Sequence, residues 1–187
     1  SQLAAVEMLH IHDLLAVGSA PRQSARFSQN GFKFRTLCKK RNNSLLGATY
    51  DPVLAALAAD VRAFLKSPLT LPPVGNFQTE PNKLVRCVVG HLLAHGLDEH
   101  RSGSAIDALT DYFLDKEALF PDFIRLYYWV YPYKDQVVVK GAGLFPYFGQ
   151  SHAVFLLMKF FPLSFFFVID EPREWQVPHR RLDNLLT

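Results

Sequence analysis

Residues 149–170 read GQSHAVFLLMKFFPLSFFFVID, and the assignment of this stretch decides what kind of sheet the chain can build. Gly149 is placed to open a helix, and the apolar residues of 150–161 extend over enough turns to form one before Pro162 stops it. The spacing therefore predicts a helix over 150–161. Beyond the proline, Phe165, Phe166, Phe167, Val168 and Ile169 are apolar on both alternating faces, so 164–170 reads as a buried strand. Lys159 and Pro162 interrupt the run, which falls short of the ~20 unbroken apolar residues of a membrane span. No membrane insertion is expected.

Working upstream, 123–131 and 137–140 are aromatic and β-branched runs parted by Pro132, Lys134 and Asp135, the pattern of a hairpin. Residues 144–148 read as a short strand or turn. Helical grammar precedes them. Asp51 and Pro52 supply an N-cap and a first-turn proline for 53–66, where Leu54, Leu57, Val61, Phe64 and Leu65 form a stripe. Pro68, Pro72, Pro73 and Gly75 make 67–82 an extended crossing. Glu80 and Pro81 open a second helix over 82–95, capped by Gly96, and Ser104 with Asp107 starts a third over 105–119. In the N-terminal third, 6–17 and 31–38 are strand candidates. The expected fold is α+β: one domain over 1–187, with a mixed sheet drawn from the N- and C-terminal thirds and packed against a central helical insertion at 51–119.

Composition supports a packed domain. Of 187 residues 49% are hydrophobic, with 16 Phe, 7 Tyr and 2 Trp, which excludes disorder for most of the chain. Cys38 and Cys87 are too few for a disulfide scaffold, and no secretory segment opens the sequence, so a cytoplasmic location is expected. The net charge of +3 conceals a local asymmetry. Between Asp13 and Asp51 there is no acidic residue, while Arg22, Arg26, Lys33, Arg35, Lys39, Lys40 and Arg41 all fall there; the rest of the chain holds 13 basic against 17 acidic residues. With Phe27, Phe32 and Phe34 interleaved, this arm can neutralise phosphates and stack on bases, which makes nucleic acid, DNA favoured, the expected partner. A solvated face or a protein-docking surface is the alternative.

Three constellations could hold chemistry. Cys87, His91 and His95 recur every four residues on the second helix and share one stripe, as a zinc site requires, with His100, Asp98 or Glu99 available as a further ligand. The position after His91 is Leu92 rather than Glu, which excludes the HExxH proteases. Arg86 and His91 have an R-x4-H spacing that resembles HEPN-type ribonucleases, helical domains that cleave RNA. Finally, Gly149, Gln150, Ser151 and His152 stand at the start of the expected helix, where backbone N–H groups face an anion and a histidine can donate to a phosphate.

The order strand, Gly149-x-x-His152 turn, helix, strand resembles the ParB/sulfiredoxin fold, whose members bind nucleotide phosphates on a Gly-x-x-His-Arg or related box. The resemblance spans 122–187. Ala153 stands where the arginine would be, and Ser151 stands at the reactive cysteine of sulfiredoxins, which excludes sulfinic-acid reduction. The chain is also similar in length to a plasmid-borne branch of that fold, the fertility-inhibition or oncogenic-suppression proteins. The resemblance implies a DNase with ATP hydrolysis and Mg²⁺, acting on DNA passed to a conjugation or type IV secretion component. On it, Ser151 and His152 are catalytic, Gly149 and Gln150 hold the nucleotide, the arm holds DNA, and Asp170 or Glu171 binds the metal. A non-catalytic inhibitor or adaptor of a protein partner is the rival expectation.

Overall fold

Two prolines and a buried helix organise the helical layer. The computed structural model describes residues 38, 41–95, 99–144, 153–173 and 175–186, all within one compact unit, Arg35–Thr187. A π-helical stretch, Arg41–Tyr50, runs directly into α1 (Asp51–Leu65), with Pro52 in its first turn where no intrahelical N–H is needed. Tyr50, not Asp51, is the N-cap residue, so Asp51 begins the helix and its carboxylate turns elsewhere. The proline-rich segment after α1 is irregular as expected, and α2 (Pro81–Ala94) opens on Pro81. α2 is buried on nearly every side, from Leu84 through Gly90 and again at Leu92 and Leu93, because α1, α3, the π-helical stretch and a C-terminal 3-10 turn (Asp183–Leu186) all pack on it. Gly90 lets Phe113 and Leu46 approach this helix closely.

α3 (Glu99–Leu114) begins earlier and ends earlier than the expected 105–119. Two interactions end it. Asp115 Oδ1 accepts the Glu117 N–H at 3.0 Å, a local turn that competes with helix. The buried guanidinium of Arg86 gathers the carbonyls of Asp115, Lys116 and Ala118 at 2.6, 2.9 and 2.9 Å, fixing the chain as it leaves the negative end of the helix.

The sheet contains β1 (Ile124–Val130), β2 (Val137–Leu144), β3 (Ala153–Phe160), β4 (Leu163–Ile169) and β5 (Arg180–Arg181) in the order β2-β3-β4-β1-β5, with every pairing antiparallel. This is α+β, with three corrections to the sequence reading. The predicted helix at 150–161 is strand β3 over its described part. Val154, Leu156, Met158 and Phe160 join the core while Phe155, Leu157 and Lys159 face away, a period of two that apolar residues on both faces disguise. The tight Phe161–Pro162 turn, with a cis peptide bond, joins β3 to β4. Secondly, β1 and β2 are not hairpin partners, since β3 and β4 lie between them. β4, apolar on both faces, takes the centre where both can be covered. Thirdly, among the described residues the sheet is antiparallel rather than mixed, and its five strands all follow the three α-helices. The strand candidates at 6–17 and 31–38 lie outside the described residues except for Cys38, which belongs to no regular element. Among the described residues no helix is long and apolar enough to cross a membrane.

One consequence of this packing is measurable in alkali. Tyr112 of α3 is buried, donates its hydroxyl to Asn82 Oδ1 at 2.9 Å and lies beneath the Arg86 guanidinium, 4.0 Å from its ring centre. Burial pushes its phenol from 10.0 up to about 12, against the opposing pull of Arg86. A raised folded value means that the stabilisation is complete below pH 10.0 and is lost as the pH rises toward 12. Stability should therefore fall across that window by at most about 1.4 kcal/mol per pH unit for this group. Urea midpoints measured across the window should fall less steeply for Tyr112→Phe; identical slopes would contradict the assignment.

Candidate functional site

The alternation that sends Leu126, Leu156, Phe165 and Phe167 to the helices sends an aromatic set to the opposite face of the sheet. Two cross-strand rows define that face. Tyr127, Phe166 and Leu157 are successive partners in one row, and Trp129, Ser164 and Lys159 in the next. The segment after β4 then crosses the β1 side, packing Trp175 and Val177 against Tyr127, Val168 and Phe166. His179 lies flat on Trp129, with ring centres 4.2 Å apart and planes 14° apart, and is itself exposed. Lys159 Nζ stands 6.0 Å from the Trp129 ring centre and 5.5 Å from that of Tyr131. The result is an open groove of about 580 Å³ lined by Trp129, Lys159, Phe166, Trp175 and His179 among others. A second groove of about 610 Å³ continues along the same segment to Tyr128, Arg180 and Arg181.

Charge is distributed unevenly along it. Arg181 is held by Asp183 at 2.5 Å, and Asp183 also accepts the Leu126 N–H, so this pair closes the sheet edge. Lys159 and the exposed Arg180 have no carboxylate salt bridge among the described residues. Aromatic faces next to unbridged cations can take a planar ring and the anion attached to it.

The other polar cluster lies between the helices. His91 Nε2 is 2.9 Å from Asp51 Oδ1, and the Cys87 thiol donates to the same oxygen at 3.3 Å. Burial, reinforced by the Asp51 carboxylate, pushes the Cys87 thiol well above its ordinary range, so it is no free nucleophile. His95 of the expected Cys87, His91 and His95 stripe does not join this group; Asp51 takes its place.

The remaining site expectations fare differently. Gly149, Gln150, Ser151 and His152 lie outside the described residues; the chain after them is strand β3 instead of the expected helix. Of Asp170 and Glu171, the first sits in a left-handed turn (φ 52°) with its N–H on the Phe123 carbonyl, and the second accepts the Tyr127 hydroxyl at 2.6 Å. Burial and that hydrogen bond both hold the Tyr127 phenol high. Glu171 is thus engaged by Tyr127, and neither residue is part of the metal-capable group found among the described residues. Arg86 is engaged by carbonyls and by Asn82, whereas His91 turns to Asp51, so the two do not form the composite site of the R-x4-H reading. Arg22, Arg26, Lys33, Arg35, Lys39 and Lys40 lie outside the described residues, and Arg41 is exposed at the start of the π-helical stretch.

Sequence reasoning missed Trp129, Lys159, Phe166 and His179 because 150–161 reads as helix and the phenylalanine run as uniform core. Compared with family models, with curated proteins and with solved structures, the chain matches none.

Proposed function

We propose that this protein binds single-stranded nucleic acid across the outer face of its sheet. The observation that carries the reading is the groove lined together by two indole rings, Phe166, the His179 imidazole and Lys159. Aromatic faces accept any base, and flanking cations accept the backbone, so the site favours single strands over duplexes, whose bases are stacked away. The arm from Arg22 to Arg41 adds seven positive charges to the same chain, enough to draw a polyanion at low salt. The reading needs no chemistry at Ser151 and His152.

Fluorescence anisotropy with labelled single-stranded DNA and RNA tests it. Trp129→Ala should weaken binding by about 1–3 kcal/mol, roughly 5–150-fold. Lys159→Ala should weaken it and make the log–log salt slope shallower by about 0.7, the loss of one phosphate contact on a single strand. Binding that ignores both substitutions would overturn the proposal, and a flat salt response would assign the face to a protein partner instead. Cleavage of the probe that vanishes in His152→Ala would reinstate the DNase reading.

A further inference from the structure

Two helices bring three ligand atoms of different chemistry to one point. Cys87 and His91 are one turn apart on α2 and share a face. Asp51 comes from the first turn of α1, and a carboxylate oxygen of Asp51, Cys87 Sγ and an imidazole nitrogen of His91 all lie within 4.8 Å of one another. Around a tetrahedral zinc ion, ligand atoms at ordinary bond lengths stand roughly 3.3–3.6 Å apart. The two contacts at 2.9 and 3.3 Å need to open by only a few tenths of an ångström to admit an ion.

We propose that Asp51, Cys87 and His91 form a zinc site with its fourth position left to solvent. A thiolate, a carboxylate and a neutral imidazole offset the charge of a divalent ion. The sulfur and imidazole donors favour zinc over Mg²⁺ or Ca²⁺. Cys87 is fully buried at the floor, while the side chains of His91 and Asp51 are 38% and 40% exposed, so the open position faces water. Three protein ligands with an open fourth position is the arrangement of reactive rather than purely structural zinc sites. On binding, the ion replaces the thiol proton, which leaves to solvent, and the thiolate sulfur, an Asp51 oxygen and an imidazole nitrogen donate to it.

Cobalt(II) is the probe, added to the full chain after chelator treatment and without a tag. One equivalent should give thiolate-to-cobalt charge-transfer absorption with the visible bands of a tetrahedral ion, and zinc should displace it. Cys87→Ala should abolish the charge-transfer band. Asp51→Asn and His91→Gln, with folding checked by circular dichroism, should each weaken binding about tenfold or more, one ligand being lost from three. Cys38→Ala should change nothing. The proposal is overturned by absence of the band in the wild-type chain, by its survival in Cys87→Ala, or by unchanged affinity in both Asp51→Asn and His91→Gln.

Discussion

Arg86→Met should destabilise the protein by about 3–5 kcal/mol, an effect on the scale of breaking a buried charged network. Arg86 is 3% exposed, and its guanidinium donates to Asn82 Oδ1 and to the carbonyls of Asp115, Lys116 and Ala118. Methionine fills much of the volume but takes the guanidinium from three carbonyls, of which only that of Asp115 still accepts a backbone N–H, from Ala118; each unmet buried polar group costs about 1–3 kcal/mol, less where water can reach it. It also removes the cation that lies over Tyr112. Lysine keeps the charge but lacks the planar fork, so Arg86→Lys should recover only part of the loss. Urea unfolding gives the magnitude. Hydrogen exchange should locate the first opening at the end of α3 and the turn after it. A loss for Arg86→Met below about 1 kcal/mol would show that the carbonyls are satisfied without the guanidinium.

The second large effect belongs to the contact between α2 and α3. Phe113 is fully buried, edge-on to Tyr50 with ring centres 5.9 Å apart, and it occupies the space that a side chain at Gly90 would need. Phe113→Ala should cost about 3–5 kcal/mol through lost burial and the cavity left behind. A Cβ added at Gly90 would come to 2.6 Å from the Phe113 ring and 2.7 Å from the end of Leu46. Gly90→Ala should therefore cost about 1–3 kcal/mol by overpacking, despite alanine's better helix propensity. The two changes should couple, because removing the ring opens the space that the methyl group lacks. The double variant should be at least about 0.5–1 kcal/mol more stable than the sum of the single effects implies. Strict additivity, or a stabilising Gly90→Ala, would contradict the packing described.

How much of this was legible in the sequence depends on which signals were local. Pro52 and Pro81, followed by apolar residues at helical spacing, marked α1 and α2 to within a residue or two, and the prolines of 67–82 marked the crossing between them. The end of α3 was not legible, since it depends on a guanidinium 29 residues away from the first carbonyl that it binds. β3 failed for a different reason. A strand apolar on both faces loses its period-of-two signature, and only pairing with β2 and β4 reveals it. That one misreading also hid the aromatic face, because Lys159 and Phe166 come onto one face, in neighbouring cross-strand rows, only when β3 is extended. The polar cluster was half visible. Cys87 and His91 follow from helical spacing, but Asp51 lies 36 residues before Cys87 and reads locally as a cap.

The placement of single strands on the outer sheet face has a direct optical test. The chain has two tryptophans, Trp129 and Trp175, and both line the groove. Titration with an unlabelled single-stranded oligonucleotide should quench tryptophan emission saturably, with a midpoint that matches the anisotropy transition, and Trp129→Phe should remove part of the signal. Binding by anisotropy with tryptophan emission unchanged would contradict the account, because the strand would then be held away from the sheet.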